Sequence, residues 1–180
     1  MILIFEGPDN SGKGTLISNI KTYYKNISFH TLHYSNIKGF TSDESIKYGK
    51  KLYFEMFKII EFCANQNISL ICDRSHIGEV VYGPIYRNYD GNYIFDIENE
   101  FKNKYIWRNI NLITLYDSPE NLIKRDDGLS FSIEINKKQQ EIDNFVKAHY
   151  NSNIENKLLI NISENDEFNT LRKTINFLNK

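Results

Sequence analysis

The apolar run Ile2-Leu3-Ile4-Phe5 leads directly into Gly7-Pro8-Asp9-Asn10-Ser11-Gly12-Lys13-Gly14-Thr15, and a helix-forming stretch follows over residues 16–24. No other segment constrains the fold as tightly. A buried strand that ends in a glycine-bounded turn at a helix start turns its backbone N–H groups inward, where they cradle an anion. Lys13 adds a mobile positive charge at that point, so Gly7, Asn10, Ser11, Gly12, Lys13, Gly14 and Thr15 are candidate ligands of a nucleotide's phosphates. The general Walker pattern has a magnesium-binding Ser or Thr directly after the lysine. Here that place holds Gly14, and the hydroxyl comes one residue later as Thr15. The bland alternative is a glycine-rich turn that only reverses the chain.

The 180 residues match one compact domain, with 41% hydrophobic and 14% aromatic residues to fill its core. A single domain over residues 1–180 is the expectation. A formal net charge of −1 provides no global attraction for nucleic acid or an anionic membrane surface, so neither is expected as a partner. No apolar run approaches the roughly 18 residues of a membrane span, and the short N-terminal run enters the loop without a signal-peptide pattern. A cytoplasmic protein is expected. Cys63 and Cys72 stand in apolar contexts on a predicted helix and strand and read as buried, reduced thiols.

Apolar runs alternate with helical patterns, the mark of repeated βα units and a mostly parallel sheet. Predicted strands cover residues 2–6, 28–33, 69–73, 111–116 and 157–162, each short and buried in character. Between the second and third, Ile46, Gly49, Tyr53, Met56, Phe57, Ile60, Cys63 and Ala64 recur at steps of three and four. That spacing predicts a long helix over residues 43–66, whose aromatic positions also suit a pocket wall. Ser118 is placed to cap a short helix that starts with Pro119 and runs to about residue 125. Asp126-Asp127-Gly128-Leu129-Ser130 then breaks the pattern, and a helix resumes near residue 133. A charged break between helices suits a mobile cover. A closing helix is predicted over residues 167–178.

A second motif, Cys72-Asp73-Arg74-Ser75-His76, stands at the C-terminal end of the third strand, with Glu79, Tyr82 and Arg87 following. Open parallel sheets bind ligands at that edge. Asp73 suits the water shell of a magnesium ion, and Arg74 suits a phosphate gripped through two parallel hydrogen bonds. Alternatively the pair is only a strand-end ion pair or helix cap.

FEGPDNSGKGT followed about sixty residues later by DRSHIGEVVYG resembles the thymidylate kinase family of nucleoside monophosphate kinases, within the P-loop NTPase superfamily. The resemblance implies a five-stranded parallel sheet with helices on both faces, a short helical lid over about residues 124–134, and a possible homodimer. It implies transfer of the γ-phosphate of ATP, with Mg2+, to the 5′-phosphate of a deoxynucleoside monophosphate. Carried over by position, Lys13 would neutralise the transferring phosphoryl group, and Thr15 with the loop amides would hold the donor phosphates. Asp9 would meet the sugar 3′-hydroxyl and the metal, alongside Thr15 and Asp73. Arg74 would take the acceptor phosphate, Glu79 would stand near base or phosphate, and Tyr82 would pack where a ribose 2′-hydroxyl would be. Asp9 as a mere loop-ordering residue, Tyr82 as a core aromatic and Glu79 as a solvent-facing helix residue are the alternatives.

The sequence departs from the family in places. The segment after the second strand reads His33-Tyr34-Ser35-Asn36-Ile37-Lys38-Gly39, without the family's Arg-Glu-Pro-Gly. Phe54 and Lys58 match the base-stacking and base-reading positions only with a shift of about one helical turn. With no Arg-Gly pair in the break, Arg125 is the candidate for closure on the donor phosphates, its alternative being a solvated helix-end cation. Two other functions stay open: a deoxynucleoside kinase, which shares an Asp-Arg-Ser motif but needs a carboxylate base for a 5′-hydroxyl, and a non-catalytic nucleotide-binding regulator.

Overall fold

The computed structural model describes residues 1–35, 39–102 and 105–180. Residues 36–38 of the segment that lacks the family's arginine lie outside them. Five strands form one parallel sheet in the order β2-β3-β1-β4-β5. They are β1 (Ile2–Glu6), β2 (Phe29–His33), β3 (Ser69–Asp73), β4 (Ile110–Tyr116) and β5 (Asn156–Asn161). Parallel strands need crossovers, and helices supply them: α1 (Lys13–Tyr23), α2 (Ser42–Asn65), α3 (Ile77–Tyr82), α4 (Tyr93–Phe101), α5 (Pro119–Lys124), α6 (Ile135–Asn151) and α7 (Glu167–Leu178). A π-helical turn, Gly83–Arg87, extends α3. The α/β reading therefore holds, with strand ends within a residue of expectation.

Alternation along the strands builds a core on each face. Ile2 and Ile4 of β1 pack with Leu70, Cys72, Ile110 and Leu112 beneath Tyr53, Met56, Phe57, Ile77 and Phe145, from α2, α3 and α6. Leu3 and Phe5 point the other way, toward Leu16, Ile17 and Ile20 of α1 and Leu171 of α7. Cys63 and Cys72 are buried free thiols, as expected, and burial raises the pKa of Cys72. The buried character expected of all five strands fails at both edges: His30, Thr31 and His33 of β2 are exposed, and β5 buries only Ile160. β2 is an edge strand, and its periphery is left to solvent.

Local signals set the helix starts. Thr41 accepts from the Glu44 N–H while the Glu44 carboxylate accepts from the Thr41 N–H, a reciprocal box that opens α2. Ser118 caps α5 by accepting from Asn121 N at 3.3 Å, as its sequence context predicts. α1 is different. It follows Gly12, in left-handed backbone at φ 78°, and no side chain caps it, so its first N–H groups remain for a ligand. Gly7 cannot be replaced without damage: at φ 139° a Cβ would lie 2.1 Å from the Leu115 carbonyl oxygen. The break predicted between helices runs irregularly from Arg125 to Glu134, and α6 resumes two residues later than expected. Among the described residues no helix is long and apolar enough to cross a membrane.

Candidate functional site

The C-terminal ends of β1, β3 and β4 open onto three adjoining cavities. The largest, about 560 Å³, lies between the phosphate loop and α7 and is lined by Asn10, Thr15, Asn19, Arg125, Asn165 and Asp166 among others. A second, about 380 Å³, covers the loop itself from Asp9 to Thr15 together with His33, Asp73, Arg74 and Asp127. The third, about 190 Å³, lies on the opposite side, walled by Glu6, Tyr34, Tyr53, Arg74, Glu79, Tyr82, Arg87 and Phe131. The middle cavity shares Asn10, Ser11, Gly12 and Thr15 with the first, and Asp9, His33, Arg74 and Leu129 with the third. One continuous trough thus runs across the sheet edge with the phosphate loop at its centre.

Lys13 is buried and folded onto its own loop, donating to Gly7 O at 2.9 Å, Pro8 O at 2.6 Å and Ser11 Oγ at 3.2 Å. Burial, reinforced by the nearby Arg74 charge, pushes its pKa down to about 7 against the pull of Asp9, Glu6 and Asp73. Two carbonyls and a hydroxyl hold its ammonium on the loop, and loss of contact with water, not a lack of acceptors, is what disfavours the charge. A Cβ at Gly14 would meet nothing within 4 Å, so packing within the chain does not demand glycine there.

Arg74 adopts φ 71°, a left-handed conformation uncommon outside glycine. Its N–H donates to Phe5 O at 3.0 Å, tying the β3 end to β1, and its guanidinium pairs with Asp9. The two motifs, 65 residues apart in sequence, thus meet as one ion pair. Asp73 Oδ2 lies 3.7 Å from His33 Nδ1, and both residues line the middle cavity together with Thr15. Among the described residues no three His, Cys, Asp or Glu side chains converge on a metal position. Thr15 and Asp73 bring oxygens to the same cavity, the donor type that Mg2+ takes alongside phosphate oxygens and water.

Beneath Arg74 runs a buried chain of polar contacts. Glu6, fully buried, accepts from Ser75 N at 2.8 Å and Ser75 Oγ at 2.7 Å through Oε1. Ser75 Oγ lies 3.1 Å from His76 Nδ1, and His76 Nε2 lies 2.6 Å from Glu98 Oε1. Burial opposes ionisation of Glu98, yet bonds from His76, Ser152 and Asn153 hold its carboxyl below the usual range. These contacts clamp the β3–α3 turn that aims Arg74.

Glu79 is only 1% exposed, which rules out the solvent-facing alternative. Its Oε2 accepts from Tyr53 Oη at 3.1 Å and Arg87 Nη1 at 3.3 Å, and its Oε1 accepts from Tyr89 Oη. Burial first, then that bond, raises the Tyr89 pKa to about 12. Tyr82 packs edge-on against Phe145 at 5.7 Å and lines the same cavity. Its hydroxyl, which the Arg74 guanidinium approaches, makes no well-formed hydrogen bond.

Two expected residues stand elsewhere. Phe54 packs on Phe101 at 5.4 Å, and Lys58 is half exposed, paired with Glu55 and lying 4.8 Å from the Phe54 ring. Neither lines the third cavity, whereas Tyr53 does. Successive residues on a helix are about 100° apart, enough to turn Phe54 away from a wall that Tyr53 faces. Arg125 lines the α7-side cavity and pairs with buried Asp117, away from the middle of the loop. The break that precedes α6 is latched to the phosphate loop: Asn10 Nδ2 donates to Asp126 Oδ1 at 3.1 Å and Ser130 Oγ at 3.2 Å. From it Phe131 stacks on Tyr86, centroids 4.9 Å apart, and closes the third cavity.

The sequence reading did not single out Glu6. A charged residue closing an otherwise apolar strand was the available signal, since such a position is buried with its sheet.

No protein-family model and no curated protein matches the sequence. Solved structures do match it. The thymidylate kinase from Ehrlichia chaffeensis superposes with a TM-score of 0.67 at 18% identity, covering 99% of this chain and 98% of that one. The YorR protein from Bacillus subtilis, solved with phosphorylated GDP, gives 0.66 at 17%, covering 99% and 96%. The deoxyadenosine kinase from M. mycoides with bound dATP gives 0.55 at 17%, covering all of both chains. The fold is therefore that of the P-loop kinases.

Proposed function

We propose that this chain is an ATP-dependent kinase that phosphorylates deoxynucleoside monophosphates. The observation that carries the reading is the trough itself: a phosphate loop with one cavity on each side, the arrangement a donor and an acceptor need to meet in line. ATP would occupy the α7-side cavity, its phosphates on the N–H groups of residues 10–15, and the open space at Gly14 would let backbone approach them closely. The acceptor would lie under Phe131 with its phosphate at Arg74. Lys13 would leave its loop carbonyls for the transferring phosphoryl, where charge must be neutralised. Thr15 and Asp73 would be the residues to hold Mg2+, which would supply positive charge to the transfer. Asp9 would hold the Arg74 guanidinium in place, and residues 125–134 would act as the lid that excludes water.

A phosphorylated acceptor suits the arginines and the lysine, because a phosphate is already a nucleophile and asks for cations rather than a base. A second reading, a deoxynucleoside kinase, draws support from Glu6, a carboxylate on the cavity wall able to take a 5′-hydroxyl proton. Incubation with ATP, Mg2+ and a panel of deoxynucleosides and their monophosphates separates the two. Formation of deoxynucleoside diphosphates is expected. Monophosphates formed from nucleosides alone would favour the second reading, and no ADP release with any acceptor would leave a nucleotide-binding regulator.

Tyr82 sets a narrower expectation. If its ring fills the space of a ribose 2′-hydroxyl, Tyr82→Ala should raise ribonucleotide over deoxyribonucleotide turnover by roughly tenfold. An unchanged ratio in competition assays would return Tyr82 to a purely packing role.

A further inference from the structure

Two charged side chains of α6, Lys138 and Glu141, line none of the three cavities and are fully buried. They pair at 3.2 Å, and Glu141 Oε1 also accepts from Tyr86 Oη at 2.5 Å. Helix packing alone does not ask for such a pair, because apolar residues of similar volume fill an interior position at no greater cost. What the carboxylate adds is direction: a phenol bonded to it is held in one orientation.

Tyr86 belongs to the π-helical turn Gly83–Arg87, which sends consecutive residues to different partners. Arg87 reaches Glu79 on the wall of the third cavity, whereas Tyr86 reaches Glu141 on α6. Both also meet the Phe131 ring. Tyr86 lies nearly parallel to it, with 17° between the planes, and the Arg87 guanidinium is 5.8 Å from its centroid. Tyr82 approaches the same ring at 5.3 Å. Phe131 and Arg87 line both the third cavity and a neighbouring one of about 490 Å³, so the seated ring is part of the partition between them. The segment 125–134 thus has an attachment at the phosphate loop, through Asn10, and another over the third cavity, through Phe131.

We propose that Glu141 is a positioning residue for acceptor binding: by fixing Tyr86 it fixes the seat of Phe131, and with it the closure of the segment over the third cavity. The inference rests on the reading of that cavity as the acceptor's. A ring without its seat leaves the closed form only fractionally populated, and acceptor affinity falls by that fraction.

Three variants separate this bond from the fold. Tyr86→Phe keeps the ring and deletes the hydroxyl. Lys138→Met with Glu141→Gln removes both buried charges but keeps an acceptor for Tyr86, and Lys138→Met with Glu141→Leu removes the acceptor too. KM is measured for ATP and for the best acceptor, and chymotrypsin cleavage after Phe131 is timed by mass spectrometry on the protein without ligands. Tyr86→Phe and the leucine double variant should raise the acceptor KM about tenfold, the weight of a hydrogen bond to a charged group, leave the ATP KM unchanged and speed cleavage by a similar factor. The glutamine double variant should match wild type in all three. Equal rises in both KM values, or a glutamine double variant as impaired as the leucine one, would make the cluster a general structural element and overturn the proposal. So would unchanged cleavage in Tyr86→Phe, a result that needs no substrate. Faster cleavage with an unchanged acceptor KM would instead overturn the assignment of the third cavity to the acceptor, and the proposal with it.

Discussion

Lys13→Ala is expected to lower phosphoryl transfer by about 10³-fold while leaving the protein at least as stable as wild type. The rate loss follows from removing the cation that meets the transferring group, since charge stabilisation in a water-poor site is the main contribution in this chemistry. The stability expectation follows from burial. In the folded protein the Lys13 pKa lies at about 7, well below its ordinary value of 10.5. Holding its proton at lower pH therefore costs folding energy, and that cost is relieved as pH rises from 7 toward 10.5.

The same shift makes nucleotide affinity depend on pH. A bound triphosphate favours the ammonium, so above pH 7 the free protein must take up a proton as it binds ATP. Affinity should fall by up to tenfold per unit. Calorimetry at pH 8.5 in buffers of different ionisation heat should show uptake of close to one proton in wild type and none in the variant. Transfer unimpaired in Lys13→Ala would remove Lys13 from the mechanism.

The second large effect is expected at Glu79. Its carboxylate receives Tyr53, Tyr89 and Arg87 together in an interior position. Glu79→Ala leaves a part-buried guanidinium without that counter-charge and the Tyr53 and Tyr89 hydroxyls without their acceptor, a loss of about 3 kcal/mol, which for a chain of this size lowers Tm by roughly 10 °C. Acceptor binding should fail with it, because Tyr53 and Arg87 form the cavity wall. ATP binding on the α7 side should persist at temperatures where the variant remains folded. Thermal denaturation and nucleotide titration check both statements, and an unchanged Tm would show that Arg87 is satisfied by other groups. A resemblance near base or phosphate was all that sequence suggested for Glu79. Its position identifies it as the residue that ties Tyr53, Tyr89 and Arg87 together at the wall of the third cavity.

Much of the sheet was legible because a buried parallel strand announces itself as a short apolar run with turn residues after it, as in Ile2-Leu3-Ile4-Phe5. The helix α2 was legible because its buried positions repeat at helical spacing; α7 keeps its expected bounds, but it buries Thr170, Thr174 and Ile175 and leaves Phe168 exposed. Residues 77–109 were not. There α3, a π-helical turn and α4 succeed one another in short pieces among Gly78, Gly83 and Gly91, each too brief for a periodic signal to emerge.

The site divides along the same line. The phosphate loop and the Asp73-Arg74 dipeptide were readable because their chemistry is held by consecutive residues whose backbone geometry is local. Which aromatic of α2 faces the cavity was not, since Tyr53 and Phe54 differ only by a helical rotation set by packing on β3 and α4.

By itself, then, the sequence determined a glycine-bounded loop between a first buried strand and a helix, and a parallel α/β sheet around it, since both follow from local backbone preference and short-range apolar pattern. The tertiary structure alone decided that Asp9 pairs with Arg74, that Glu79 is interior, and that Glu6 anchors the Ser75 turn from within the core. Those facts depend on the pairing of β1 with β3 and on the crossover through α3, which join residues some seventy positions apart.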